Sequence, residues 1–330
     1  MKIVEMNTKD LGYEVISEEE AASAKAMVDR IVDNIETVIT GKRDRISLIV
    51  MSMLAGGHVL IEDIPGTGKT SLVNALAKTI ACDYKRIQFT PDVMPSDVSG
   101  FSIYNQKSGE FEFRPGAAMS NIVLADEINR ASAKTQSAML EIMEERQVTV
   151  DSNTYKLDPP FMVLATQNPI ESLGTYQLPE AQIDRFMVKL SLGYAELSEE
   201  VKFVMFGQAA KQKIGAVAGR EDIVALIDLA ERVRLDEPVA NYIVHIVTAT
   251  RSNPDIKMGS SPRGSISLYR LSKAFALSKG RNYVIPDDVK YLAPFVLGHR
   301  IMLTHTARTE KKNPQDIINN IVSTIVVPVQ

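Results

Sequence analysis

A glycine-rich loop between an apolar strand and a helix constrains the fold of this chain more than any other feature of its sequence. Residues 58–62 are strand-like, and residues 70–80 repeat apolar side chains at helical spacing. The loop that joins them reads Asp63-Ile64-Pro65-Gly66-Thr67-Gly68-Lys69-Thr70. A strand, a glycine loop and a helix start form the context that a phosphate-binding loop requires. We therefore predict that the loop binds the phosphates of ATP.

The residue types of this loop suit a nucleoside triphosphate with its Mg²⁺ ion. Gly66 and Gly68 let the backbone curl so that its N–H groups face inward, and the helix N-terminus adds a positive dipole end. We expect Lys69 to reach the β- and γ-phosphates and the Thr70 hydroxyl to bind Mg²⁺. The usual motif opens with glycine, whereas Asp63 stands in that place. An ordinary loop and helix cap is the alternative, which the flanking strand and helix disfavour.

Two acidic residues close a second apolar strand. Residues 121–125 read Asn-Ile-Val-Leu-Ala, and Asp126 and Glu127 follow them. Ligands of an open α/β sheet bind at the carboxyl ends of its strands, so both acids are predicted beside the phosphates. We expect Asp126 to hold the Mg²⁺ ion and Glu127 to polarise the attacking water, a role worth about 10²–10⁴ in rate. A pair of solvated acids is the alternative, and the upstream loop argues against it.

The pattern of apolar runs predicts the fold class. Runs without alternation, separated by helical stretches, are typical of a doubly wound, mostly parallel α/β sheet. The five predicted strands are 58–62, 85–89, 121–126, 161–166 and 187–192. After about Leu192 the strand pattern stops, and helices are predicted at 198–212, 221–232, 237–253, 261–279, 286–297 and 314–327. The expected organisation is a lead-in over 1–16, an α/β core over 17–194 and an all-α domain over 195–330.

Composition bears on where the chain works and on what it binds. It has no run of 18 apolar residues and no basic segment followed by an apolar block near its start, which predicts a cytoplasmic protein without a membrane span. Cys82 is the single cysteine, and the four histidines show no metal-ligand spacing with it. The net charge of −4 gives no bulk attraction to nucleic acid.

Several stretches together resemble the MoxR-type AAA+ ATPases, and the resemblance covers almost the whole chain. They are 62–70, 90–92 (Thr-Pro-Asp), 95–97 (Pro-Ser-Asp), 109–116 (Gly-Glu-Phe-Glu-Phe-Arg-Pro-Gly), 125–131 (Ala-Asp-Glu-Ile-Asn-Arg-Ala), 166–169 (Thr-Gln-Asn-Pro) and 178–186 (Leu-Pro-Glu-Ala-Gln-Ile-Asp-Arg-Phe). Asp63 at the opening of the loop also resembles this family. The resemblance implies that the α/β domain is an AAA+ core and that the all-α domain is its lid.

The resemblance implies roles for three further residues. Asn168 resembles sensor 1, which orients the attacking water together with Glu127, with an Asn-Pro turn as the alternative. Arg185 resembles the arginine finger that reaches the γ-phosphate of a neighbouring subunit, a contribution of about 10³–10⁵ in turnover. A surface Asp-Arg pair is the alternative there. Arg263 resembles sensor 2 of the helical lid, with a solvated arginine as the alternative.

Two further assignments from the resemblance leave their alternatives open. Val38, Ile39 and Gly41 would line the adenine pocket, and ordinary core packing is the stronger alternative for this stretch. Arg130 would make a contact between subunits, and a structural salt bridge is an equal alternative.

Two hairpins are predicted within the α/β domain. Residues 101–113 alternate around a turn at 106–109, and residues 147–157 turn at 151–153. By resemblance the first is the helix-2 insert, which projects toward the pore of a ring, and the second is the hairpin before sensor 1. Either could contact a substrate protein or pack subunits together. Phe111 and Phe113 share one face, and we interpret them as core residues.

The function that the resemblance implies is a hexameric ring ATPase that hydrolyses ATP with Mg²⁺ at subunit interfaces and remodels, matures or assembles partner proteins. In this family the partners are often proteins with a von Willebrand A domain. A DNA-acting ring ATPase, a magnesium-chelatase-like subunit and a nucleotide-gated scaffold with little turnover are the alternatives. The net charge of −4 counts against DNA. The intact set of hydrolytic residues counts against the scaffold.

Overall fold

The computed structural model describes residues 14–64, 66–168, 176–194, 197–206 and 214–328. Pro65 of the loop, residues 1–13 of the lead-in and residues 207–212 of a predicted helix lie outside the described residues. The chain forms two compact units, of which one comprises Asp29–Val224. The other comprises the chain up to Val28 and from Ala225 onwards. The first helix, α1 (Glu18–Glu36), contributes residues to both units.

The unit from Asp29 to Val224 alternates strands and helices. Its strands are β1 (Val59–Glu62), β2 (Tyr84–Gln88), β3 (Gly100–Asn105), β4 (Glu110–Pro115), β5 (Ile122–Asp126), β6 (Gln147–Val150), β7 (Asn153–Lys156), β8 (Met162–Gln167) and β9 (Val188–Leu190). Its helices are α2 (Arg43–Leu54), α3 (Lys69–Thr79), α4 (Pro95–Ser99), α5 (Ala133–Glu145), α6 (Glu180–Ile183) and α7 (Leu197–Phe206).

A five-stranded parallel sheet with the order β2-β5-β8-β1-β9 forms the centre of this unit. All residues of β5 are buried, as expected of a strand that is covered on both faces. The register pairs Gln88 with Asp126 and Glu62 with Gln167, so the carboxyl ends of neighbouring strands meet at one edge. The predicted sheet is confirmed, and each predicted strand overlaps an observed one.

The chain after α7 is mainly helical, as predicted. Its helices are α8 (Arg220–Glu231), α9 (Glu237–Thr250), α10 (Pro262–Ser278), α11 (Pro286–Leu297), α12 (His305–Thr309) and α13 (Pro314–Thr324). Proline occupies the first turn of α9, α10, α11 and α13, where its missing N–H costs nothing. The structure adds an antiparallel pair, β10 (Ile256–Met258) with β11 (Met302–Leu303), which the sequence did not predict. Strands this short carry no readable period-2 pattern.

Both predicted hairpins are present. β3 pairs with β4, and β6 pairs with β7, each antiparallel. The half-buried ring of Phe113 stacks on that of Tyr155 with 4.1 Å between centroids, which joins the two hairpins. The interpretation of Phe111 as a core residue was wrong, because the residue is 73% exposed. It lies near the turn and contacts Tyr104 across a two-stranded sheet, where alternation does not imply a covering layer.

Candidate functional site

The glycine loop connects the end of β1 with the start of α3. Gly66 and Gly68 have φ angles of +87° and +86°, a left-handed conformation that favours glycine. Among the described residues, nothing lies within 4 Å of a Cβ built on Gly66, so backbone conformation rather than space requires glycine there. Gly68 is also the N-cap of α3 and offers no side-chain cap. The first N–H groups of α3 therefore suit an anionic ligand.

Lys69 and Thr70 occupy the first turn of α3. The Lys69 Nζ donates to the carbonyl oxygens of Asp63 at 3.1 Å and Ile64 at 2.7 Å. Thr70 is exposed, whereas Lys69 is half-buried. The loop's own carbonyl groups thus hold the amine, and a phosphate oxygen would compete with them for it.

Asp63 connects the opening of the loop to the chain after β9. Its buried carboxylate accepts hydrogen bonds from the Ser191 hydroxyl at 2.7 Å and from the backbone N–H groups of Leu192 and Gly193. A glycine, the usual residue at this position, has no side chain that could make these bonds. The departure from the common motif therefore has a structural reason that the sequence did not reveal.

Ile39 lies next to the loop. Its Cδ1 atom would be 4.0 Å from a Cβ built on Gly68. Val38 and Ile39 follow α1, are half-buried and donate their backbone N–H groups to the carbonyl of Ile35. Gly41 continues this segment with a φ of +68°. The segment predicted to line an adenine pocket thus approaches the glycine loop.

Asp126 is the last residue of β5, and both of its carboxylate oxygens have partners. Oδ1 accepts a hydrogen bond from the Thr166 hydroxyl at 2.6 Å. Oδ2 accepts from Arg86 Nε at 3.1 Å and Nη2 at 2.6 Å. Neither Arg86 nor Thr166 was singled out as a partner from the sequence. Arg86 lies on β2 and Thr166 on β8, so only the order of strands in the sheet identifies them.

Glu127 follows Asp126 in a left-handed conformation, with φ +56° and ψ +48°. Its backbone N–H donates to the Thr166 hydroxyl at 2.8 Å. Its carboxylate accepts from Arg130 Nη1 at 2.9 Å. Of the two alternatives for Arg130, the structure shows the salt bridge within the chain.

Asn168 is buried and directly follows β8. β8 lies between β5, which ends in the acids, and β1, which leads into the glycine loop. The acids, Asn168 and the loop therefore lie at the carboxyl ends of three successive parallel strands. The sheet thus places the glycine loop, the acidic pair and Asn168 along one edge.

Arg185 follows α6, and its described ion pair is with Glu144 of α5, with 3.2 Å between Nη2 and Oε2. It also lines a surface cavity of about 510 Å³. The other lining residues are Ser137, Glu141, Glu145, Gln147 and Gln182. The structure thus places Arg185 beside an acidic face of α5.

Arg263 belongs to the other unit, in the first turn of α10. Its backbone N–H donates to the Ser261 hydroxyl, which caps the helix. The structure therefore describes its position within α10, and its implied role as sensor 2 stays a prediction.

The described residues also bear on metal and membrane binding. Across the described ranges, no group of three or more His, Cys, Asp or Glu residues converges to hold a metal ion. Mg²⁺ that accompanies a nucleotide needs only one or two protein ligands besides the phosphates, and the Thr70 hydroxyl and Asp126 carboxylate are suitable hard ligands. In the same part of the chain, no helix is both long and apolar enough to cross a bilayer.

Comparison with known proteins agrees with this fold. Residues 58–188 match the model of the ATPase family associated with various cellular activities (AAA), and residues 248–321 match the AAA lid domain. The fold is that of an AAA ATPase with a helical lid.

Similarity to individual relatives shows which family of AAA ATPases the chain belongs to. The chain is 52% identical to the protein YeaC of Bacillus subtilis (strain 168), over 92% of this chain and 96% of that protein. It is 37% identical to Chaperone MoxR1 of Mycobacterium tuberculosis, over 91% of this chain and 82% of that protein. The crystal structure of a putative ATPase from Cytophaga hutchinsonii superposes with a TM-score of 0.88 at 39% identity, covering 94% of this chain and 98% of that one. The chain belongs to the MoxR family of AAA ATPases.

Proposed function

We propose that this MoxR-family protein hydrolyses ATP with Mg²⁺ between the subunits of a hexameric ring and so remodels, matures or assembles partner proteins. The observation that carries the proposal is the meeting of the acidic pair, Asn168 and the glycine loop on adjacent parallel strands. This edge of an open parallel sheet is where such folds bind ligands.

The loop and the start of α3 would bind the triphosphate. The left-handed Gly66 and Gly68 and the uncapped helix start present backbone N–H groups to an anion. Lys69 would exchange its bonds with loop carbonyls for bonds with phosphate oxygens. Thr70 and Asp126 would hold Mg²⁺, which neutralises charge that builds up on the phosphates during transfer. Ile39, with Val38 and Gly41, would contact the base.

Glu127 would act as the general base. Its carboxylate takes the proton of the attacking water, and Asn168 orients that water from the end of the next strand. The left-handed backbone of Glu127 and its salt bridge with Arg130 set the starting position of this carboxylate. Phosphoryl transfer needs positioning and charge stabilisation more than covalent chemistry, so the placement of these groups matters most.

Two arginines would complete the site. Arg185, whose ion pair is with Glu144, would serve the nucleotide of the adjacent subunit as an arginine finger. Arg263 would act as sensor 2 of the lid domain. We propose that the chain comprises a lead-in over 1–16, an AAA core over 17–194 and an all-α lid domain over 195–330. The relative from Mycobacterium tuberculosis is named a chaperone, Chaperone MoxR1. We extend a chaperone-like role to this chain, with von Willebrand A domain proteins as candidate clients.

The experiment that tests this proposal is ATP turnover per subunit, with Mg²⁺, as the protein concentration is raised through the micromolar range. We expect a specific rate that climbs and saturates, because each site is completed by a neighbour. The turnover of the Lys69→Ala variant measures the contribution of contaminating ATPases. Turnover that is absent at every concentration, or equal in the Lys69→Ala variant, would contradict the proposal.

A further inference from the structure

One buried hydroxyl group bonds both members of the acidic pair. The Thr166 Oγ1 atom donates to Asp126 Oδ1 at 2.6 Å and accepts from the Glu127 backbone N–H at 2.8 Å. A hydroxyl has one hydrogen to donate and lone pairs to accept, so it makes both bonds at once. Thr166 is 1% exposed and lies on β8, the strand beside β5. The two bonds tie the end of β5 to its neighbour at the catalytic acids.

The bond to the Glu127 N–H supports an unusual backbone. Glu127 has φ +56°, a left-handed conformation that non-glycine residues adopt rarely and at a cost. This turn ends β5 and sets the direction in which the Glu127 side chain leaves the strand. Its N–H no longer continues the pairing of the sheet, and the Thr166 hydroxyl supplies the acceptor. Without that acceptor, a partly buried donor at the turn would lose its bond.

The bond to Asp126 restricts the carboxylate. With Oδ1 held by Thr166, the remaining oxygen Oδ2 is directed to Arg86, the side chain that supplies positive charge there. Packing alone does not require a hydroxyl at position 166. Valine has nearly the same shape and a high strand propensity, and it would fill the same space between neighbouring strands. The hydroxyl is therefore explained by its two bonds rather than by packing.

We propose that Thr166 is a positioning residue for the hydrolysis reaction, which orients the Asp126 carboxylate and fixes the Glu127 backbone so that both acids face the same triphosphate. This inference rests on the proposed function. Thr166 stands outside the phosphate loop, the acidic pair and the sensor residues, and it acts through the acids without contact to the nucleotide. Groups that orient a metal ligand typically change metal affinity or activity about 10–100-fold when they are removed.

The test compares Thr166→Val, which removes the hydroxyl and keeps the shape, with Thr166→Ser, which keeps the hydroxyl. We expect Thr166→Val to bind ATP within about twofold of the wild-type affinity, to turn over about 10–100-fold more slowly and to need more Mg²⁺ for half-maximal rate. Thr166→Ser should recover most of the rate and the wild-type Mg²⁺ requirement. The control is Thr79→Val, which removes another buried hydroxyl. Thr79 is the last residue of α3, and its hydroxyl accepts a hydrogen bond from the Asn34 side chain of α1. This variant should keep wild-type turnover.

The outcomes separate this inference from the proposed function. Wild-type turnover and an unchanged Mg²⁺ requirement in Thr166→Val would overturn the role of Thr166 while the ATPase stands. An equal loss of turnover in Thr166→Val and Thr166→Ser would also overturn it, since the hydroxyl would not be the reason. If the wild-type chain binds ATP without turnover, the proposed function fails. The Mg²⁺ concentration that ATP binding requires then tests the role of Thr166. It must be higher in Thr166→Val than in the wild type, and an equal requirement would overturn that role.

Discussion

Arg86 holds the carboxylate of Asp126 through two of its guanidinium nitrogens, with Nε at 3.1 Å and Nη2 at 2.6 Å from Oδ2. The arginine comes from β2, the edge strand beside β5. Its side chain is 45% exposed, whereas that of Asp126 is 11% exposed. The Arg86 side chain can therefore move away from the shielded Asp126 carboxylate toward solvent. Arg86 supplies positive charge to the acid that we assign to Mg²⁺.

The first prediction is that Arg86 and Mg²⁺ compete for the Asp126 carboxylate. Arg86→Gln should lower the Mg²⁺ concentration that gives half-maximal turnover by about two- to fivefold, because the ion no longer displaces a guanidinium from a half-exposed pair worth up to about 1 kcal/mol. A Mg²⁺ titration of steady-state turnover measures it. Arg232→Gln, which breaks ion pairs with Glu20 and Asp228 in the other unit, is the control. A higher Mg²⁺ requirement in Arg86→Gln would mean that the arginine helps to bind the ion.

The second prediction concerns Arg185. The Arg185→Ala variant should bind ATP and lose turnover, because the finger acts on the neighbour's nucleotide. A mixture of Arg185→Ala with Lys69→Ala should recover activity, since one variant supplies an intact loop and the other an intact finger. The chain that carries both substitutions should give no recovery with Arg185→Ala. A mixture that stays inactive, although both variants assemble, would place the role of Arg185 elsewhere.

The third prediction concerns Asp63. Asp63→Gly restores the residue of the common motif but leaves the backbone N–H groups of Leu192 and Gly193 without their acceptor. Unsatisfied buried groups cost about 1–3 kcal/mol, so we expect Asp63→Gly to unfold at lower denaturant concentration than the wild type. Asp63→Asn keeps an acceptor oxygen and should lose less. Equal stability of all three proteins would refute the structural reason for aspartate.

The fourth prediction concerns His58, a buried residue that precedes β1. Its Nδ1 accepts from the Val163 N–H and its Nε2 donates to the Met143 carbonyl, each at 3.0 Å. Burial disfavours the charged ring and lowers the pKa of His58 from 6.5 to about 4. The unfolded chain binds the proton first, so this stabilisation is complete above pH 6.5 and is lost as the pH falls toward 4. The loss from pH 7.5 to 5 is about 2 kcal/mol.

Denaturant unfolding at both pH values checks the histidine prediction. We expect the free energy of unfolding of the wild type to fall with pH more than that of His58→Gln. The stability gap between the two proteins should therefore shrink at pH 5. A gap that is the same at both pH values would show that His58 does not carry the effect.

The sheet and the position of the acidic pair at its edge could be predicted from the sequence because their signals are local. Unbroken apolar runs mark the strands, and the glycine loop and the Asp126-Glu127 pair each lie next to one. Arg86 and Thr166 could not be assigned, because they reach Asp126 across strands whose order the sequence does not state. The exposure of Phe111 was missed for a related reason, since alternation along a strand does not show whether a second layer covers it.

The most direct test of ATP hydrolysis at this site is the steady-state turnover of Glu127→Gln beside the wild type, with ATP affinity measured on both. The substitution keeps the size of the side chain and removes its capacity to accept a proton. ATP affinity close to the wild-type value, with turnover at least about 10²-fold lower, is the predicted result. Turnover at the wild-type rate would contradict the central claim, because another group would then be the base.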